Sequence, residues 1–386
     1  MENTRRASAR RGPAAKSRVV VTELDGVIAA VVFVLLLVGI VMVFSSSYYT
    51  AMRDENVDNN MFHYVFNQLR AVGLGIVAMI IMAYTHYRVW EKLSGLMYIA
   101  GNILLILTRF IGIEANNARR WLRIPVFGQV QTSEIVKVTV ILFLAFFIAK
   151  EKDRLRSWKG FILASIIVII PAGLAYVCTS SLSSAITIGA LGFGMIFIAS
   201  PFFWRFIVML GAVFAGGLGW LLTTDSYQGD RLQAFFDPFA DPLLYGYQTI
   251  QSLYAVASGG LFGLGLGNSR QKLIFMPEPH NDFIFAIICE ELGFFGAAII
   301  ILLFSILIYR GVRVALNAPD LQGTLIATGI IVMLAVQVII NVGVVTSTIP
   351  NTGIPLPFIS YGGSSVLFLM ALMGILLNIS RYSRTA

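Results

Sequence analysis

The run Val27-Ile28-Ala29-Ala30-Val31-Val32-Phe33-Val34-Leu35-Leu36-Leu37-Val38-Gly39-Ile40-Val41-Met42-Val43-Phe44 decides the architecture. Every position is apolar or glycine, and a helix needs about 20 mostly apolar residues to cross the hydrocarbon core of a bilayer. The run is too long for the apolar core of a secretory leader, and no small-residue cleavage site follows it. It predicts an uncleaved first transmembrane helix. The same measure finds further runs near 65–85, 93–110, 133–149, 160–177, 183–200, 204–223, 283–309, 323–346 and 363–380, with the first extending over 27–48. The expected fold is an all-α polytopic membrane protein of about ten spans, with a large extracytoplasmic loop, 224–282, between spans seven and eight.

Composition agrees. Of 386 residues, 57% are hydrophobic and only 12% are charged, and the mean hydropathy is +0.81. A soluble domain keeps roughly a quarter of its residues charged, so much of this surface faces lipid. The net charge of +8 does not point to nucleic acid, because the basic residues sit in short loops between apolar runs. Cys178 and Cys289 make neither a disulfide framework nor a C-x-x-C metal site. Three scattered histidines add no protein-built zinc site.

The loops set the topology. Residues 1–25 carry Arg5, Arg6, Arg10, Arg11, Lys16 and Arg18 without an apolar pattern, which predicts a disordered basic cytoplasmic tail ahead of one transmembrane domain, 26–386. Alternate loops hold Arg88 and Lys92, then Lys150, Lys152, Arg154, Arg156 and Lys159, then Arg310 and Arg313, and last Arg381 and Arg384. The first loop on the other side is acidic, with Asp54, Glu55 and Asp58. This positive-inside pattern puts both termini in the cytoplasm. Two outer segments break it: 111–132, with Arg119, Arg120 and Arg123, and 224–282, whose alternating apolar and polar pieces predict short helices on or in the outer face.

Ionisable residues inside spans are costly unless paired or wetted, so each is a functional candidate. Glu134 and Lys137 open the fourth span three residues apart, on one helix face, where they can also form a plain ion pair. Asp282, just ahead of the eighth span, has the position of a helix N-cap. Glu290 and Glu291, two turns deeper, read either as a site or as a hydrogen-bonded pair bracing neighbouring helices. The linker 348–365 holds Pro350, Pro355 and Pro357 among apolar residues and ends Ser360-Tyr361-Gly362-Gly363-Ser364-Ser365. Non-helical backbone of this kind is tolerated at membrane depth only when buried in protein or lining a wet cavity. Its glycines ahead of a span let backbone N–H groups approach an anion.

Four stretches together resemble one family. They are Asn117-Ala118-Arg119-Arg120-Trp121 with Gln131-Thr132-Ser133-Glu134-Ile135-Val136-Lys137, and Tyr247-Gln248 through Ser252 with Gly259-Gly260-Leu261-Phe262-Gly263-Leu264-Gly265. The others are Pro277 through Phe285 with Glu290-Glu291-Leu292-Gly293, and the proline loop with its Ser360–Ser365 ending. In this order and spacing the chain resembles the SEDS proteins (shape, elongation, division and sporulation; the RodA/FtsW/SpoVE family).

That resemblance implies a peptidoglycan glycosyltransferase of the bacterial cytoplasmic (inner) membrane. It would polymerise lipid II onto a nascent glycan strand on the outer face, with inversion and release of undecaprenyl pyrophosphate. It would work with a class B penicillin-binding protein, a transpeptidase, among membrane lipids and without nucleic acid. The family's essential aspartate falls on Asp282, which displaces the capping role; Lys137 nearby would favour its ionised form. The resemblance puts Arg119, Arg120, Glu134, Lys137, His280, Ser360, Gly362, Gly363 and Ser364 against substrate. It has Trp121, Gln248, Pro357, Glu290 and Glu291 shaping the cavity. No cofactor is built in, though a divalent cation, Mg or Mn, has a place as an assistant. The chain departs from the family at Asn117 (usually Gly), Thr132 (usually Pro) and Asn281 (usually Thr). It departs most at Ser181, where the family has an acidic residue. Two alternatives follow: a non-catalytic scaffold of a cell-wall complex, favoured by Ser181, and a lipid II flippase, favoured by Glu290 and Glu291.

Overall fold

A computed structural model describes residues 23–115, 118–124, 128–151, 153–209, 211, 234–244 and 246–382. The expected tail falls almost wholly outside these residues, as do Asn117, Lys152 and most of the seventh expected span, which begins as helix at 203–209. Among the described residues, nine helices are long and apolar enough to cross a membrane. They are α1 (Gly26–Arg53), α2 (His63–Tyr84), α3 (Tyr87–Ile111), α4 (Thr132–Ala149), α5 (Trp158–Thr179) and α6 (Leu182–Ala199). After the shorter α7 (Tyr247–Gly259) come α8 (Ile284–Leu316), α9 (Leu321–Val345) and α10 (Gly363–Arg381).

Local chemistry marks the starts. Asp25 accepts from Val27 N and Ile28 N at 3.0 and 3.2 Å, Ser157 from Gly160 N at 2.9 Å, and Asp320 from Gly323 N at 2.8 Å. Each satisfies donors that a helix N-terminus leaves unpaired. Three spans form the centre: in α4, α9 and α10, 67% of the apolar window is buried, against 22% in α2 and α3. The outer ring keeps residues such as Ile81, Leu96 and Phe110 exposed, at 55%, 69% and 67%, as lipid-facing helices do.

Two features depart from the sequence reading. Residues 113–131 are not loop: β1 (Ile113–Ala115), β2 (Ala118–Ile124) and β3 (Gly128–Gln131) form an antiparallel sheet in the order β1-β2-β3. Trp121 lies opposite Gln131, and Arg119 opposite Glu114. Short polar strands carry little period-2 signal, so the sequence hid them. The second departure is α8, which runs through Gly293 at φ 68°, ψ −168°, a conformation that breaks its helical ladder.

Helix direction sorts the loops onto two ends of the bundle. At the end holding both Asp25 and Asp320, Arg310 pairs with Asp25 at 3.1 Å. There Asp320 accepts from Tyr87 Oη and Arg88 Nη2 at 2.8 and 2.9 Å. Asn378 donates to Ala83 O and accepts from Tyr87 N at 2.7 and 3.0 Å. The sheet, Asp282 and the proline loop gather at the opposite end.

Candidate active site

Asp282 lies in a turn that ends where α8 begins. The N-cap is Phe283, with no side-chain capping bond, so the carboxylate is not the cap that its spacing allowed. The turn is fastened to the proline loop instead. Asn341 Nδ2, on α9, donates to the carbonyls of Asp282 and Ile354 at 2.7 and 2.8 Å. Tyr361 N donates to His280 O at 2.9 Å.

The carboxylate faces Gly353. A Cβ there would sit 3.1 Å from Asp282 Oδ2 and 3.8 Å from Ser183 Oγ, and Gly353 has φ +66°. Only glycine takes that backbone without strain and leaves the carboxylate room. Ser183 in turn donates to Thr352 O. His280 is 2% exposed and packs on the rings of Tyr64 and Tyr361, with centroids 4.4 and 5.4 Å away. Burial pushes its imidazole down to about 4, so it is neutral at physiological pH. Around the turn, His280 Nδ1, Asn341 Oδ1 and Thr352 Oγ1 are buried with no hydrogen-bond partner among the described residues. Unsatisfied buried polar atoms are rare and mark sites whose hydrogen bonding a ligand or water completes.

A chain of hydroxyls leads from the start of α6 to the fourth span. Ser181 caps α6, donating to Ser184 Oγ at 2.9 Å, and Ser184 donates to Ser133 Oγ at 3.0 Å. Next to Ser133, Glu134 and Lys137 are paired at 2.7 Å with side chains 9% and 6% exposed. The plain ion pair thus exists, and it is buried at the site's end of α4. Ser181 is itself 5% exposed, and its hydroxyl is the first link in this chain.

The sheet is bolted on by its arginines. Arg119 pairs with Glu114 at 3.2 Å and donates to the carbonyls of Arg109 and Phe110, ending α3. Arg120 donates to Thr179 O and Ser180 O at 3.3 and 3.1 Å, ending α5. Gln131 N donates to Ser364 Oγ at 3.2 Å. Half-buried Trp121 sits mid-sheet. The glycines ahead of α10 are held too: Gln68 donates to Ser360 O and accepts from Gly362 N, both at 3.3 Å. Ser360 Oγ accepts from Leu356 N at 2.8 Å, closing a turn around buried Pro357. Gly363 is exposed at the start of α10, which has no side-chain cap. Gln248 accepts from Asn351 at 2.9 Å, docking α7 on the same loop.

Glu290 and Glu291 lie apart from Asp282, in a network of their own. Glu290 accepts from Ser269 Oγ and from Arg270 N at 2.9 Å, capping the one-turn helix Gln271–Ile274. Glu291 pairs with Lys272 at 2.5 Å, both side chains 0% exposed, and accepts from Ser45. Beside them the break at Gly293 is filled by the glycine-rich segment. Leu264 N and Gly265 N donate to the carbonyls of Glu290 and Glu291, while Phe294 N and Phe295 N donate to those of Gly260 and Leu261. A Cβ on Gly263 would lie 2.1 Å from Glu291 O; only bare backbone can approach so closely. An open cavity of about 420 Å³ lies alongside, lined by Tyr49, Arg53, Asp54, Lys272 and Glu278 among others. No group of three or more His, Cys, Asp or Glu among the described residues is arranged to hold a metal.

Sequence reasoning passed over Lys272, Asn341, Gln68 and Ser183. Asn341 left a readable mark, a polar amide within an apolar run.

Comparison with known proteins completes the picture. The family described as cell cycle protein, FtsW/RodA/SpoVE, matches residues 26–385. Stage V sporulation protein E of Bacillus subtilis (strain 168) is 41% identical over 365 residues, 94% of this chain and 98% of that protein. A probable peptidoglycan glycosyltransferase FtsW of Trichlorobacter lovleyi is 38% identical over 363 residues, 93% of each. Among solved structures, a chain from work described as "Structural coordination of polymerization and crosslinking by a peptidoglycan synthase complex" superposes with TM-score 0.78 at 26% identity. It covers 93% of this chain and 98% of its own length. Rod shape determining protein RodA of Thermus thermophilus superposes with TM-score 0.68 at 25% identity, covering 94% and 98%.

Proposed function

The chain belongs to the FtsW/RodA/SpoVE family of cell cycle proteins, and from that premise we propose how its outer end works as a peptidoglycan glycosyltransferase. It is a multi-pass membrane protein and an enzyme of peptidoglycan synthesis. The donor we assign is lipid II, the acceptor a glycan strand, and the membrane the bacterial cytoplasmic one. Both termini are cytoplasmic by the positive-inside pattern, so the Asp282 end faces outward.

The observation that carries the mechanism is the Asp282 carboxylate held against Gly353 at that end of the bundle. Glycosyl transfer needs a base within hydrogen-bond reach of the attacking hydroxyl. Asp282 takes the proton from the acceptor's GlcNAc 4-hydroxyl as its oxygen bonds to the MurNAc anomeric carbon. The bond from that carbon to undecaprenyl pyrophosphate breaks on the opposite face, which inverts the centre. Negative charge grows on the pyrophosphate, and cations stabilise it through charge-assisted hydrogen bonds. Arg119, Arg120 and Lys137 are cations at this end, the arginines with backbone carbonyls as ligands and Lys137 with Glu134. A divalent Mg or Mn ion would have Asp282 as its protein carboxylate at this end, a sparse set of protein ligands that Mg often accepts, and would offset the charge growing on the pyrophosphate.

The flippase reading loses its support, because Glu290 and Glu291 are saturated by Ser269, Arg270, Lys272 and Ser45 rather than facing a path. Likeness to a chain of a peptidoglycan synthase complex supports a class B penicillin-binding protein as partner. The test is polymerisation of purified lipid II by the full chain, with and without its transpeptidase. Glycan strands from the wild type and none from Asp282→Ala are expected. Equal activity in both would sink the assignment of Asp282.

A further inference from the structure

Asn341 lies in the last two turns of α9, and its residue is 1% exposed. Both N–H bonds of its amide are spent, at 2.7 and 2.8 Å, on two carbonyls from different segments. One carbonyl is that of Asp282. The other is that of Ile354, next to the Gly353 against which the carboxylate lies. The amide therefore spans the turn that carries the base and the loop that walls it.

We propose that Asn341 is a positioning residue for the transfer reaction: from a rigid span, it fixes the Asp282 carboxylate relative to the proline loop. The inference rests on Asp282 being the base. Both joined segments are non-helical, and loops hold a group less rigidly than helices do. Near Asp282, Tyr361 N also donates to His280 O, two residues away, but that bond runs from one loop to another. Asn341 ties both segments at once to a central helix, α9. It reacts with nothing; it acts through where Asp282 stands.

The experiment compares Asn341→Asp, Asn341→Ser and Asp282→Ala with wild type, each as the full chain reconstituted in liposomes with its transpeptidase and supplied with lipid II. Asn341→Asp keeps the size of the side chain and turns both donors into an oxygen facing two carbonyl oxygens. Asn341→Ser keeps one shorter donor and serves if the first variant does not fold. Misplacing a reacting group by about 1 Å can cost about 100-fold, so kcat per folded molecule is expected to fall about 10- to 100-fold. KM for lipid II stays within about twofold, as for an interaction realised only in the transition state. Melting in detergent and co-purification with the transpeptidase report folding separately. Wild-type kcat per folded molecule in both Asn341 variants, beside an inactive Asp282→Ala, overturns the inference and leaves the base assignment standing. An active Asp282→Ala overturns the base assignment and this inference with it.

Discussion

Replacing Lys272 by methionine tests the reading of the buried network beneath the glycine-rich segment. Its ammonium and the Glu291 carboxylate are 2.5 Å apart, both side chains fully out of solvent. Lys272→Met keeps most of the volume but strands the carboxylate with the Ser45 hydroxyl as its remaining side-chain partner. Removing one member of a buried ion pair costs about 3–5 kcal/mol. At about 1.4 kcal/mol per factor of ten, that is roughly two to four powers of ten in the folding equilibrium. The double variant Lys272→Met/Glu291→Gln removes the stranded charge, and uncharged replacement of a buried pair is often close to neutral, so it should regain most of the loss. The assay is denaturant-driven unfolding in detergent micelles, followed by tryptophan fluorescence. A single variant that loses less than about 1 kcal/mol, the worth of an exposed pair, would refute the reasoning. So would a double variant no more stable than the single one.

Other expectations are as direct. Asp282→Asn keeps the shape of the side chain but cannot take a proton, and lipid II polymerisation should fall about 10²- to 10⁴-fold, the usual worth of a general base; strand length on gels reads it. Gly293→Ala places a methyl 2.3 Å from Gly263 N at φ +68°, so the loop must withdraw from the break; hydrogen exchange at Leu264 and Gly265 should rise, and unchanged protection would count against the close approach. His280 has its imidazole depressed from 6.5 to about 4 by burial. The unfolded chain therefore binds the extra proton first, and stability is full above about pH 6.5 and falls as the pH drops toward 4. His280→Gln should flatten melting temperature over that window, and an unaltered profile would assign the titration elsewhere.

The spans were legible because a bilayer imposes a length on apolar runs, and α1, α5 and α9 lie where that length put them. The sheet was not, since its strands carry arginines whose partners are the carbonyls that end α3 and α5. The motif residues near Asp282 could be named from sequence, but not their fastening. Asn341 and Ile354 lie far from Asp282 in the chain, and a bond between remote segments leaves no spacing to read. Lys272 was invisible for the same reason: its carboxylate is nineteen residues on, in another element.

The break in α8 has a consequence for how the protein is made. The backbone groups around Gly293 cannot be satisfied by their own helix, and in hydrocarbon each such group costs several kcal/mol. Their partners, Gly260 to Gly265, precede them in the chain and so leave the ribosome first. The native break can therefore form only once the segment made just before it is docked, so the eighth span reaches its final shape through a piece of chain already synthesised.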